Sequence, residues 1–500
     1  MKRSPASHAE NSLARAAVGG VAWQGLSFIS GKAIVLLSTV VLARLLSPTD
    51  FGLVGLALVF VTYADVITDL GVTQALIYLP AGRHRNDAAL LVSLIVSVGF
   101  VLLALAAAPL AARFFGEPHV TAMMRLLSLS LLLRGLGQVP DALLRKELRF
   151  RPRLYADFFR AGGQGLISIW LAAAGFGPWA IIFGYLAGSA VWTVLVWGLV
   201  EYRPRPDFWR IRHKAVISLM TYGAPAAGTS LLLVLVFNVD YLIVGRLLGA
   251  RALGFYTLGF RIPELVIINV FNVLSAVAFP LYSLARENPG RLLRGYVFGL
   301  KLQSVFGVAA GVSLAMLSPM LVHVVFGRRW TSTIVPLEAL ALYAAFRSVG
   351  MGPNDVFRGI GRPGLLFWLS LARLATLVPV LLIASRAGID GVSWAQAAVA
   401  LPLAFFMQAV AARALGIPLR RVAEALGPAA GAGLAAGVAV GAVRLWMPGP
   451  ESGRLAVGLL AGAAATIVSL AVVDRHFLRE ATAMITSRRA GLRARRLAEA

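Results

Sequence analysis

Seven ionisable residues stand inside stretches that are otherwise apolar: Lys32, Asp65, Asp69, Arg134, Arg261, Arg347 and Arg373. A charge at mid-bilayer depth costs about 2.5–3.5 kcal/mol on insertion scales, so each needs a hydrated cavity, a partner or a route to the headgroups. The cations suit an anionic ligand, because an arginine fork matches phosphate oxygens. Asp65 and Asp69 share one helix face and can hold a proton or a small cation between them. Counted from Leu46 and Gly52 at helical rise, Lys32 and Asp65 both lie about 20 Å below the boundary of adjacent spans. Two readings are open there: a structural Lys–Asp bridge, or a site for a coupling ion.

The remaining charges sort by depth. Arg373 is eleven residues from both Arg362 and Ala384, too deep to snorkel. Arg347 reaches either the cytoplasmic surface or a cavity wall. Arg261 has Glu264 three residues on, with Asp240 at comparable depth, so a local cluster also accounts for it. Arg134 and Arg160 stand about two turns from an interface and can snorkel, with Asp157 placed to neutralise Arg160. Arg125, Lys301 and Arg444 snorkel. There is no cysteine, and six histidines are scattered. No metal-ligand cluster, HExxH or phosphate-binding glycine loop is present, so no metal, cofactor or catalytic residue is expected.

The elements that position these groups follow from composition. Of 500 residues, 59% are hydrophobic and 14% charged, and the mean hydropathy is +0.79. Soluble domains carry nearer a quarter charged residues. A span needs about 20 apolar residues to cross ~30 Å of hydrocarbon, and its backbone there must be helical. Fourteen spans are expected, at 21–46, 52–79, 88–112, 120–139, 154–174, 179–200, 215–244, 253–282, 295–317, 334–350, 365–384, 391–412, 428–446 and 455–473. The fold class is therefore all-α membrane protein, without inserted soluble domain or cleavable signal peptide.

The net charge of +25 is a matter of topology. With the N-terminus in the cytoplasm, 30 of the 47 Lys+Arg fall in cytoplasmic segments and 8 on the opposite side. That is the positive-inside bias. It excludes nucleic acid as the partner and puts both ends in the cytoplasm, with the arginine-rich tail against anionic lipid.

An internal repeat is also legible. Gly245-Arg246-Leu247-Leu248 with Leu253-Gly254 repeats Ala43-Arg44-Leu45-Leu46 with Phe51-Gly52 at an offset of 202. Phe115-Gly116, Pro140-Asp141 and Arg145 return as Phe326-Gly327, Pro353-Asn354 and Arg358 at 211 to 213. Six-helix units of like orientation imply a pseudo-twofold axis along the membrane normal, with a site between the halves. The expected divisions are 1–20 (N-terminal segment), 21–202 (first bundle), 203–214 (basic linker), 215–413 (second bundle), 414–475 (two further helices) and 476–500 (basic tail). Lys32, Asp65 and Arg261 map onto Val234, Ile267 and Val59, so the deep charges do not follow the duplicated scaffold.

The run Val41-Leu42-Ala43-Arg44-Leu45-Leu46-Ser47-Pro48-Thr49-Asp50-Phe51-Gly52-Leu53, continued by Asp69-Leu70-Gly71-Val72, resembles the polysaccharide flippases. These are the O-antigen and colanic-acid type transporters of the multidrug/oligosaccharidyl-lipid/polysaccharide exporter superfamily. The resemblance implies a V-shaped pair of six-helix bundles around a cavity, in the bacterial inner membrane. It implies outward movement of undecaprenyl-pyrophosphate-linked oligosaccharide by alternating access. Lys32, Arg134, Arg261, Arg347 and Arg373 are then the candidate head-group contacts, and Asp65 and Asp69 the candidates for proton or sodium coupling. Lipid II flippases and drug exporters share this fold, and a membrane-embedded glycan polymerase is the rival of a different class. Catalysis of that kind calls for a large loop, and every loop here is short.

Overall fold

The computed structural model describes residues 31–480 apart from 70, 81, 148, 208 and 210–212. The N-terminal segment 1–20 and the arginine-rich tail lie outside the described residues. The main helices among the described residues are α1 (31–45), α2 (Pro48–Asp69), α3 (Val72–Tyr78), α4 (Arg83–Phe115), α5 (His119–Lys146), α6 (Phe150–Ala173), α7 (Trp179–Leu199), α8 (His213–Pro263), α9 (Asn269–Ala285), α10 (Pro289–Leu321), α11 (Ile334–Gly359), α12 (Pro363–Ala384), α13 (Gly388–Leu415), α14 (Leu419–Trp446) and α15 (Glu451–Val473). There is no strand among the described residues. Among the described residues, ten helical stretches are long and apolar enough to cross a membrane. Two of these, Ser230–Asn272 and Gly364–Leu415, are broken by positive-φ glycines at Gly249 and Gly388. The protein is an all-α, multi-pass membrane protein. Large apolar side chains such as Leu166, Val194, Leu434 and Leu460 are exposed on helix faces, as lipid contact requires.

The described helices form two compact units. One comprises the chain to Leu258 together with Phe367–Val392; the other comprises Gly259–Leu366 and the chain from Ser393. In the first unit α5 is central, packed by α2, α3, α4 and α7, with α6 against α7. Its core includes Val72, Leu76, Val139, Leu144 and Val196. In the second unit α10 lies against α11, α14 and α15. There Ala429, Ala432 and Ala436 of α14 meet Val305 and Ala309 of α10. Small residues let the backbones approach where lipid supplies no hydrophobic drive between helices.

A close approach in the first unit joins the two copies of the repeated motif. A Cβ on Gly52 would stand 1.6 Å from the carbonyl oxygen of Ala250, and one on Gly254 would stand 1.9 Å from that of Pro48. Only glycine permits this crossing.

Proline shapes both units. Pro140 in α5 has no N–H for the carbonyl of Leu136, and the indole of Trp197 donates to it instead at 3.0 Å. Pro353 in α11 leaves the carbonyl of Val349, which accepts from the Gln408 amide at 2.5 Å.

Candidate functional site: a charged cavity in the first unit

The site begins where α2 stops. Gly71 takes φ 69°, and a Cβ there would stand 2.1 Å from the carbonyl oxygen of Gly223, so the chain breaks at a position only glycine fits. The break leaves Asp69 at the head of α3. Its Oδ1 accepts from the Thr73 backbone N–H at 3.2 Å and the Thr73 hydroxyl at 2.7 Å, and also from the Gln138 amide of α5. Asp69 thus ties α2, α3 and α5 together.

One turn earlier, Asp65 pairs with Arg134 of α5, Oδ2 to guanidinium 3.0 Å. The Tyr185 hydroxyl of α7 is also hydrogen-bonded to Arg134. Arg160 of α6 enters beside them. Its Nε is buried without a hydrogen-bond partner, and it forms no ion pair among the described residues.

Toward the Lys146 end of α5 a second cluster forms. Asp141 is buried, 4% exposed, and takes both Arg145 and Arg153 at 2.6 Å. Arg153 also faces Asp157 at 3.7 Å. A buried carboxylate held by two guanidiniums is a structural clamp, since removing either partner strands a charge in a poor solvent. It joins α5 to α6 at the end of the helix that Pro140 bends.

Together these groups line a cavity of about 450 Å³. Four arginines (134, 145, 153, 160) and four aspartates (65, 69, 141, 157) face it, with Thr73, Gln74, Gln138 and Ser189. The formal charge of the described ionisable residues lining it is zero. Such a chamber is polar and offers arginine forks, but an incoming anion must compete with the resident carboxylates. On the other side of α5, an open apolar groove of about 860 Å³ is lined by Leu133, Leu136, Leu171, Phe183 and Leu186 among others.

Asp65, Asp69 and Arg134 therefore meet in one cavity. Lys32 lies at the start of the described part of α1, outside the residues lining it. Arg373 of α12, in the same unit, lies over the Phe237 ring at 5.4 Å. In the second unit Arg261 faces Glu264 at 3.4 Å, and Arg347 donates to the Tyr343 hydroxyl at 3.1 Å. Lys301, read as snorkelling, pairs with Asp474. The sequence marks Asp141 and Arg145 only as members of the repeated motif, and Arg145 and Arg153 as topology-setting charges, not as cavity residues. The i, i+4 and i+7 spacing of Arg153, Asp157 and Arg160 was the signal, since it puts all three on one face of α6.

A helical membrane protein with a charge-lined chamber and short connections belongs to the class of membrane transporters. Residues 41–335 match the polysaccharide biosynthesis protein family, and the chain belongs to that family. It is 26% identical over 394 residues to the lipopolysaccharide biosynthesis protein WzxC of Escherichia coli (strain K12), covering 76% of this chain and 78% of that one. It is 25% identical over 365 residues to the succinoglycan biosynthesis transport protein ExoT of Rhizobium meliloti (strain 1021), covering 72% of each. Among solved structures, the lipid II flippase MurJ in an inward closed conformation has the same fold. The TM-score is 0.74 at 13% identity, over 91% of this chain and 99% of that one.

Proposed function

We propose that the protein is a flippase that carries undecaprenyl-pyrophosphate-linked oligosaccharide from the cytoplasmic to the outer leaflet of the bacterial inner membrane, for surface polysaccharide synthesis. The observation that carries this reading is the charged cavity of the first unit, with Arg134 in an exchangeable ion pair and Arg160 beside it without a carboxylate of its own. A pyrophosphate needs guanidinium forks, a glycan needs a wet polar chamber, and a polyprenyl tail stays in lipid or along an apolar groove such as the one on the far side of α5. Family membership and the names of the relatives agree with this cargo class.

In this reading the chain crosses the membrane fourteen times with both ends in the cytoplasm, supported by the bias of basic residues. The two six-helix halves move by alternating access, and the membrane potential favours an anion leaving by about 2.3 kcal/mol per charge per 100 mV. Lys32, Arg261, Arg347 and Arg373 meet the head group later in its passage. Arg347 and Arg373 rest against aromatic rings at 5.9 and 5.4 Å. Asp65 and Asp69 are the groups through which protons or sodium couple.

The test replaces Arg134 or Arg160 by glutamine and measures lipid-linked glycan reaching the outer leaflet at matched protein level. The expected loss is about tenfold or more, ~1.4 kcal/mol of head-group interaction. Full delivery by both variants overturns the assignment. A lengthened glycan formed by the purified protein from donor lipid points instead to a polymerase.

A further inference from the structure

We infer that a phosphate entering this cavity takes Arg134 away from Asp65, and that Asp65 then takes up a proton, so that head group and proton bind together. The inference rests on the head-group reading above and adds how the site changes its own charge.

The argument is one of charge balance. The cavity presents four arginines and four aspartates, so its lining is formally neutral before anything enters. A pyrophosphate diester brings two negative charges. Within this small chamber they meet carboxylates as well as guanidiniums, and only the carboxylates can change charge, because arginine stays protonated.

The four aspartates are not equally able to respond. Asp141 is clamped by Arg145 and Arg153 at 2.6 Å each. Asp157 keeps Arg153 at 3.7 Å. Asp69 accepts three hydrogen bonds, from the Thr73 N–H, the Thr73 hydroxyl and the Gln138 amide, and is tied by them to α3 and α5. Asp65 has one ion pair among the described residues, Arg134 at 3.0 Å.

The charged and titratable groups facing Asp65 come from several elements. They are Arg134 from α5, Arg160 from α6, Tyr185 from α7 and Asp69 from its own helix. On α8 the residue lining the cavity is Ser230, which carries no charge. Once Arg134 turns to phosphate with Arg160 on its other flank, Asp65 faces a dianion and its own neighbour Asp69. A carboxylate so placed, with its cation committed elsewhere, binds a proton. The proton comes from water, Arg134 remains a cation throughout, and the occupied site carries one negative charge where it would otherwise carry two.

The experiment is calorimetric titration of the full-length protein in detergent with a polyprenyl-diphosphate-hexose, in buffers of different ionisation enthalpy. This probe is a diester and has no phosphate proton to exchange near neutral pH. The wild type is expected to take up about one proton per head group bound, and its affinity falls by up to about tenfold per pH unit as pH rises. Asp65→Asn is expected to take up none, to bind more tightly because Arg134 has lost its competitor, and to bind independently of pH. Binding by the wild type without proton uptake overturns the exchange and leaves the head-group reading standing. Uptake that persists in Asp65→Asn also overturns it. No binding by the wild type overturns the head-group reading and the exchange with it.

Discussion

The indole of Trp197 donates its N–H to the carbonyl of Leu136, the one backbone acceptor that Pro140 deprives of its helical donor. The second unit repeats the device. Gln408 donates its amide to Val349, the acceptor left by Pro353, and itself accepts from the Tyr296 hydroxyl at 2.5 Å. Pro140 and Pro353 are 213 positions apart, Trp197 and Gln408 are 211 apart, and both offsets are those of the internal repeat. The side chains differ, yet each supplies the N–H from the same place in the duplicated plan. A buried carbonyl in lipid has no water to turn to, so a kinked helix needs such a donor.

Trp197→Phe keeps an aromatic ring beside Tyr202 and removes the N–H. It should lower the thermal stability of the detergent-solubilised protein by the equivalent of about 1–3 kcal/mol, the cost of an unsatisfied buried acceptor. Adding Pro140→Ala restores an N–H four residues beyond Leu136, and the double variant should recover most of the loss. Equal stability of the single variant and the wild type would show that the carbonyl finds another donor.

Gly52 and Gly254 make a second, reciprocal pair. Ala250 and Pro48, the residues they press against, are themselves 202 apart, as are the glycines. Gly52→Ala and Gly254→Ala should each cost about 1–3 kcal/mol by overpacking, because the obstructing atoms are backbone rather than a flexible side chain. The measurement is unfolding temperature, and the two changes should combine non-additively since they act on one contact. Loss-free alanine variants would mean the helices part more readily than this geometry allows.

Arg373→Ala removes a deep cation from a position outside the cavity. Delivery of lipid-linked glycan to the outer leaflet should fall by about threefold to tenfold if the residue meets the head group during passage, as an arginine–phosphate contact of ~1 kcal/mol predicts. Unchanged delivery at normal protein level takes Arg373 out of the binding set.

Lys301 and Asp474 tie α10 to the chain just past α15. Burial pushes the Asp474 carboxyl up, but the Lys301 ammonium, the Phe477 N–H and the neighbouring His476 outweigh it and hold the group below the usual carboxylate range. A depressed carboxylate contributes stability that is fully present above its unfolded value of about 3.9 and is lost as pH falls through the lower folded value. Asp474→Asn should therefore lower the unfolding temperature at neutral pH and show a smaller further drop than the wild type on acidification below about pH 4. Parallel acid profiles would assign the acid sensitivity to other groups.

What the sequence determined was periodicity, length and order. Long apolar runs dictate helices because lipid leaves backbone groups no other partner. The glycine and proline positions marked the repeat, and the i, i+4 spacing put Asp65 and Asp69 on one face, where both do line the cavity. The tertiary structure decided which charges meet. Arg134 lies 69 residues beyond Asp65, and Arg160 comes from a third helix. The break at Gly71 gives Asp69 its three donors, a role that spacing within α2 does not announce. Helical period fixes directions within a helix, whereas its rotation and depth against neighbours depend on close contacts and kinks distributed along the whole chain. That is why the deep cations could be enumerated in sequence and Arg261 matched to Glu264 three residues on, while only packing brought Arg134 and Arg160 together.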